Sequence, residues 1–189
     1  MTSILEKILE NSAYSEADRK LIEKAFELAK SAHAGQKRLS GEEYLSHPLH
    51  VAYFLSELGL DAATVAAGIL HDTIEDTAIT NKDLEKEFGK DIAFLVDGVT
   101  KLSKIEYASN PNEKKSNTDH LNSLKKMFFA MAEDIRVILI KLADRYHNME
   151  TLKYKDQAGQ KKIALETLEI YAPIAARLGM GRLKGQLED

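Results

Sequence analysis

The run Ala62-Ala63-Thr64-Val65-Ala66-Ala67-Gly68-Ile69-Leu70, followed at once by His71-Asp72-Thr73-Ile74-Glu75-Asp76, decides how the chain is read. Its first nine residues are small or apolar and carry no charge, as in a helix buried on most sides. Four ionisable side chains then arrive within six residues. On a helix turning about 100° per residue, positions 71, 72, 75 and 76 fall within an arc of about 140°, so all four face one way. Charged groups leave water only when they are paired or bound to a metal. Imidazole with carboxylate suits manganese, iron or zinc better than calcium.

The sequence on either side is helical in pattern. Residues 2–11 are amphipathic, and Ser15 caps a second helix with Asp18 in the capping-box position and Leu21, Ile22, Ala25, Leu28 and Ala29 as its apolar stripe. Gly35 ends it, and residues 36–46 are polar and aperiodic, a loop. Pro48 lies in the first turn of the next helix, which Gly59 stops; Asp61 caps the central one. Thr80 and Asp83 open a short helix that Gly89 closes, and residues 91–102 form another around Ile92, Leu95, Val96 and Val99. Residues 106–118 turn to Asn, Ser, Lys and Glu, the composition of a flexible insertion. A helix over 118–132 follows. Asp134 then caps the most apolar helix, through Val137-Ile138-Leu139-Ile140 to about Thr151. A last long helix over 159–178 is expected to kink at Pro173, before a basic tail, Arg182-Leu183-Lys184.

This pattern, with three prolines and no alternating β-branched runs, predicts an all-α fold, a bundle of about eight to ten helices. At 189 residues the chain fits a single domain over 1–189. It has no cysteine, which excludes disulfides and thiolate zinc sites and makes a reducing cytoplasm the expected compartment. No signal peptide is read at Met1 and no apolar run is long enough to cross a bilayer, so no membrane partner is expected. A net charge of −4 argues against broad contact with nucleic acid, yet leaves room for a small phosphorylated ligand in a local basic pocket.

Adjacent His71 and Asp72 need further ligands from elsewhere. His47 stands at a helix entrance, and Asp144 interrupts a buried stripe in Lys141-Leu142-Ala143-Asp144-Arg145. A bland reading makes His71 a helix-terminal histidine favoured by the dipole; the acids that follow, and Asp144 on a second apolar helix, weigh against it. Glu75 and Asp76 come one turn later, placed to orient water at the cation and to handle protons. Lys37, Arg38, Lys101, Lys125, Lys126, Lys141 and Arg145 are available for phosphate charge, with Arg38 and Arg145 singled out by position. Asn148 and Thr151 lie on the same general face as Asp144, suited to a base or ribose. His33, His50, His120 and His147 lack supporting carboxylates and are read as structural or surface residues.

Four blocks occur in order: Ser40-Gly41-Glu42-x-Tyr44-x-x-His47-Pro48, His71-Asp72-x-x-Glu75-Asp76-Thr77, Val96-Asp97-Gly98-Val99-Thr100-Lys101-Leu102, and Asp134 through Met149. Together they resemble the hydrolase domain of the RelA/SpoT homologues, with similarity running from about Ala25 to the C-terminus. The shorter His…His-Asp…Asp signature within them is that of the HD-domain metal phosphohydrolases. The resemblance implies manganese-dependent removal of the 3′-pyrophosphate of ppGpp or pppGpp, with one ion per chain and a guanine nucleotide as substrate. It implies His47, His71, Asp72 and Asp144 as metal ligands, Glu75 and Asp76 as the catalytic pair, and Arg38, Asn148 and Thr151 as nucleotide contacts. It also implies a small single-domain alarmone hydrolase, a reading that an excised hydrolase domain would share.

Against the family pattern, Glu43 stands for a usual Pro, Lys125 for an Arg and Glu150 for an Arg, and the 106–118 segment is longer. These departures lie at the substrate rim. Two other functions are compatible with the ligands: an HD-type phosphatase acting on another nucleotide such as NADPH, and a non-catalytic alarmone-binding module. The second has no need of both catalytic acids.

Overall fold

The structure is a computed structural model that describes residues 2–107 and 133–189. In chain order the helices are α1 (Thr2–Leu9), α2 (Glu16–Ala32), α3 (Ser46–Glu57), α4 (Ala62–Leu70), α5 (Thr73–Asp76), α6 (Asn81–Phe88), α7 (Lys90–Tyr107) and α8 (Ile135–Glu150). A 3-10 turn (Leu152–Tyr154) leads to α9 (Gln157–Glu166), a π-helical segment (Thr167–Tyr171), α10 (Ala172–Arg177) and α11 (Gly181–Glu188). The all-α expectation holds among the described residues. None of these helices is long and apolar enough to cross a membrane. The expected helix over 118–132 and most of the 106–118 segment, with His120, Lys125 and Lys126, lie outside the described residues.

Helix α4 is the centre of the bundle, packed on α2, α3 and α7. Asp61 caps it, accepting a 2.7 Å bond from the Thr64 amide, and every residue of it but Ala63 is buried. Gly68 lets α3 and α4 touch: a Cβ there would lie 2.6 Å from Leu55 Cδ1. Gly98 does the same where α7 meets α8, 2.9 Å from Val137 Cγ2. Glycine in a helix interior costs about 1 kcal/mol relative to alanine; here each one permits the close crossing that brings site-bearing helices together. Helix α8, capped by Asp134, packs against α3, α4 and α7 and buries Lys141, Asp144, Arg145 and His147 among its apolar residues.

Three local expectations are corrected. The first concerns the His71 cluster, which does not continue one helix. His71 Nδ1 donates to the Gly68 carbonyl at 2.8 Å and Thr73 Oγ1 to the Leu70 carbonyl at 2.6 Å, so side chains take up the last acceptors of α4. The backbone turns at His71 and Asp72 and restarts as α5, which re-aims Glu75 and Asp76.

The second is the 36–46 loop, which contains an isolated antiparallel bridge between Lys37 and Glu43. Gly41, at φ 88°, reverses the chain, and Arg38 and Tyr44 come to fixed places on the two arms. The third is the C-terminal region. The interruption lies just before Pro173 and takes the form of the π segment; Pro173 has no N–H to give the Glu169 carbonyl, and a widened turn accommodates that loss. The basic tail is helix α11, with Leu183 and Leu187 buried one turn apart.

Candidate metal centre

Three elements deliver four donor side chains to one point. The entrance of α3 brings His47, the α4–α5 turn brings His71 and Asp72, and the middle of α8 brings Asp144. His47 Nε2 is 3.2 Å from Asp144 Oδ1 and 3.7 Å from Asp72 Oδ2. His71 Nε2 is 3.1 Å from Asp72 Oδ1 and 3.9 Å from Asp144 Oδ1. One donor atom from each of His47, His71 and Asp144 lies within 4.8 Å of the others, and all three residues are buried. Asp72 is more open, its side chain 18% exposed.

A divalent cation fits this set. His71 Nε2 is buried without a hydrogen-bond partner among the described residues, while its Nδ1–H is committed to Gly68. Two imidazoles and two carboxylates at these separations form a borderline ligand group, with oxygen on both sides of the nitrogens. The electrostatics agree. Burial holds the His47 imidazole below its ordinary value although the Asp144 and Asp72 carboxylates favour its charge. Burial also opposes charge on His71, but the adjacent Asp72 carboxylate outweighs it and lifts the group to about 9. Asp144 stays ionised against its own burial because Lys141, His47 and His71 surround it.

The ligands are fixed from behind. Lys141 Nζ donates to Asp144 Oδ2 and to Ser103 Oγ, both at 2.9 Å, and Asn148 Nδ2 donates to Asp144 Oδ1 at 2.6 Å. Tyr44 Oη lies 2.7 Å from Asp72 Oδ2 and 2.6 Å from Asp76 Oδ2, so one hydroxyl joins a candidate ligand to a candidate catalytic acid. His47 Nδ1 is 2.8 Å from His147 Nδ1. Burial, together with His47, His50 and Arg38, pushes the His147 imidazole down to about 3.

Above this floor opens a cavity of about 880 Å³, within the range of small-molecule sites. Glu75 and Asp76 line it beside Asp72. Burial, then the Asp72 charge, raises the Glu75 carboxyl, and its Oε1 has no hydrogen-bond partner among the described residues. At the rim Arg38 donates from Nη2 to Asn148 Oδ1 at 3.2 Å and to Thr151 Oγ1 at 3.3 Å. Eight of the nine residues singled out in the sequence as ligands, acids or nucleotide contacts therefore line one cavity, and the ninth, His71, lies behind Asp72 and Asp144.

Other sequence candidates divide. Lys37 and Lys141 line the cavity; Lys101 instead pairs with Asp97 at 2.6 Å on α7. Arg145 lines the cavity too, but it is buried against the Glu166 carboxylate at 3.6 Å and the face of Tyr171. That pairing offsets its charge. Sequence reading assigned no role to Tyr44, Ser103, Lys155 or Lys162, which also line the cavity, and set His147 aside. For Tyr44 a signal existed, since it stands three residues before His47 at a helix entrance. His147 has an imidazole and a guanidinium as partners, both distant in sequence.

A family model described as HD domain matches residues 25–181. The chain is 45% identical over 187 residues to the guanosine-3′,5′-bis(diphosphate) 3′-pyrophosphohydrolase of Borreliella burgdorferi, covering 99% of this chain and 27% of that protein. It is 49% identical over 176 residues to a GTP pyrophosphokinase of Myxococcus xanthus, covering 93% and 23%. To the bifunctional (p)ppGpp synthase/hydrolase SpoT of Escherichia coli it is 48% identical over 170 residues, covering 90% and 23%. The chain spans about a quarter of the length of these curated relatives. A solved structure described as a metazoan orthologue of SpoT that hydrolyses ppGpp and plays a role in starvation responses matches with a TM-score of 0.68. Its sequence is 23% identical, with 93% of this chain and 94% of that one covered, and it shares the fold. The resemblance carried by the motif blocks is borne out by these relatives.

Proposed function

The chain belongs to the HD-domain family, and from that premise we propose that it is a manganese-dependent guanosine-3′,5′-bis(diphosphate) 3′-pyrophosphohydrolase. The reaction adds water across the bond between the 3′ oxygen and phosphorus of ppGpp or pppGpp, leaving GDP or GTP and pyrophosphate. One observation carries the reading: His47, Asp72 and Asp144, backed by His71, share one cavity with the Arg38–Asn148–Thr151 rim, with Glu75 and Asp76 beside the donors. Names among the relatives support it, since the Borreliella protein is a 3′-pyrophosphohydrolase and the Escherichia coli one a synthase/hydrolase.

In this reading residues 1–189 act as a single domain, and His47, His71, Asp72 and Asp144 hold one ion. When bound, the cation supplies Lewis acidity, acidifying water and offsetting negative charge that grows on phosphoryl oxygens. Glu75 and Asp76 orient the attacking water and carry its proton toward the leaving 3′ oxygen. The raised Glu75 carboxyl suits a group that must take up and release a proton. Tyr44 holds Asp76 in register with Asp72. Arg38 lies against the guanine, Asn148 and Thr151 bond the nucleoside, and Lys37, Lys155 and Lys162 receive phosphate charge.

The test is a manganese-supplemented hydrolysis assay on ppGpp, pppGpp and NADPH with products separated by chromatography. The expected result is GDP or GTP with pyrophosphate. Turnover of NADPH alone would move the activity to another nucleotide, and tight ppGpp binding without turnover would make the chain a sensor.

A further inference from the structure

We propose that His147 is a positioning residue that fixes the ligating face of His47 and the pose of Arg38 through a single nitrogen. It does not line the metal cavity and is only 6% exposed, so it acts through its neighbours. Its Nδ1 lies 2.8 Å from His47 Nδ1 and 3.2 Å from Arg38 Nη1. A guanidinium only donates hydrogen bonds. His147 Nδ1 is therefore the acceptor for Arg38 and carries no hydrogen. An acceptor at that position requires His47 to meet it with an Nδ1–H, which leaves Nε2 as the nitrogen that can hold a cation. Nε2 is the nitrogen that lies 3.2 Å from Asp144 and 3.7 Å from Asp72.

The opposite arrangement fails on the same geometry. If His147 donated from Nδ1, that N–H would face an N–H of Arg38, and the hydrogen of His47 would sit on Nε2, in the place of the cation. Arg38, a rim residue, thus decides through His147 which nitrogen the floor presents.

The two imidazole ligands are oriented by unlike devices. His71 donates its Nδ1–H to a backbone carbonyl three residues earlier in its own helix. His47 depends on a side chain one hundred residues away, held in place by the ring of His50 stacked on it at 4.6 Å, which is itself bonded through Nδ1 to the Ser46 carbonyl. Such outer partners of metal-bound histidines are worth about 10- to 100-fold in metal affinity.

The inference rests on the metal site proposed above but not on its substrate, and its test uses no nucleotide. Manganese binding is measured by calorimetry on metal-free wild-type, His147→Phe and His147→Asn proteins, each checked by circular dichroism. Phenylalanine keeps a ring but has no acceptor; the Asn side-chain oxygen stands near the place of Nδ1. The expected result is a manganese Kd raised about 10- to 100-fold in H147F and largely restored in H147N. Wild-type affinity in H147F, or equal loss in both variants, overturns the proposal. Should H147F not fold, nitrogen-15 spectra of the zinc-loaded wild type decide: His147 is expected with its hydrogen on Nε2, and a hydrogen on Nδ1 overturns the assignment. Failure to hydrolyse ppGpp would sink the proposed reaction and leave both readouts standing.

Discussion

At the floor of the cavity His47, His71 and Asp144 are buried and each is bonded from behind, to His147, to the Gly68 carbonyl, and to Lys141 with Asn148. At the rim Leu39, Lys37 and Lys162 stand in solvent, and Arg38 is held by three neutral acceptors, two on α8 and the third on Thr151 at its end. The floor is a closed network in which removing one member strands a buried charge. The rim is a set of separable contacts on an open surface. In the proposed function, chemistry is thereby set by residues that tolerate little change, and nucleotide choice by residues that tolerate more. Glu43 and Glu150, expected at the substrate rim, are both exposed but neither lines the cavity.

The sharpest way to divide floor from rim is to change a residue beside the cation that does not hold it. Glu75→Gln and Asp76→Asn keep shape while removing charge, so kcat should fall about 10²- to 10⁴-fold, the range for a positioned acid or base. Manganese content, read by atomic absorption, should stay near wild type. Normal kcat at matched metal content would take the pair out of the chemistry.

A second contrast is in pH. Without a cation His71 holds its proton up to about 9, above its ordinary 6.5, because Asp72 outweighs burial. A cation must displace that proton, so manganese affinity should rise with pH about tenfold per unit below that value, roughly 100-fold across two units. The same raised group stabilises the metal-free fold fully below pH 6.5, and that stability is lost as pH climbs through about 9. Melting curves with and without manganese read both effects. A pH-independent manganese affinity would mean that no proton is displaced.

The smallest effect belongs to the rim. Arg38→Ala should raise KM for ppGpp about tenfold, the loss of a charged contact worth roughly 1.4 kcal/mol, with a lesser change in kcat. Steady-state kinetics with an unchanged KM would remove Arg38 from the nucleotide site.

How much of this the sequence disclosed follows from range. His71-Asp72 and Asp144 were legible because charges interrupt apolar helices, and the capping boxes at Ser15 and Thr80 are where three-residue spacing puts them. The break after Leu70 was not legible: no glycine or proline makes it, only the side chains of His71 and Thr73 bonding to nearby carbonyls. Pro173 announced an interruption without its form. Helix α11 was obscured by Gly181, although the spacing of Leu183 and Leu187 was there to be read. His147 was hidden most deeply, since its role depends on His47 and Arg38, each about one hundred residues distant, and no local pattern records that meeting.

The central claim is that four side chains hold one cation on which the hydrolysis depends. Its direct measurement is a titration of metal-free wild-type and Asp144→Ala proteins with manganese, following bound ion by electron paramagnetic resonance and GDP release from ppGpp in the same samples. The account predicts one ion bound per wild-type chain, turnover rising in step with occupancy, and neither in D144A at concentrations that saturate the wild type. Stoichiometric manganese in D144A, or undiminished ppGpp turnover by the metal-free wild type, would contradict it.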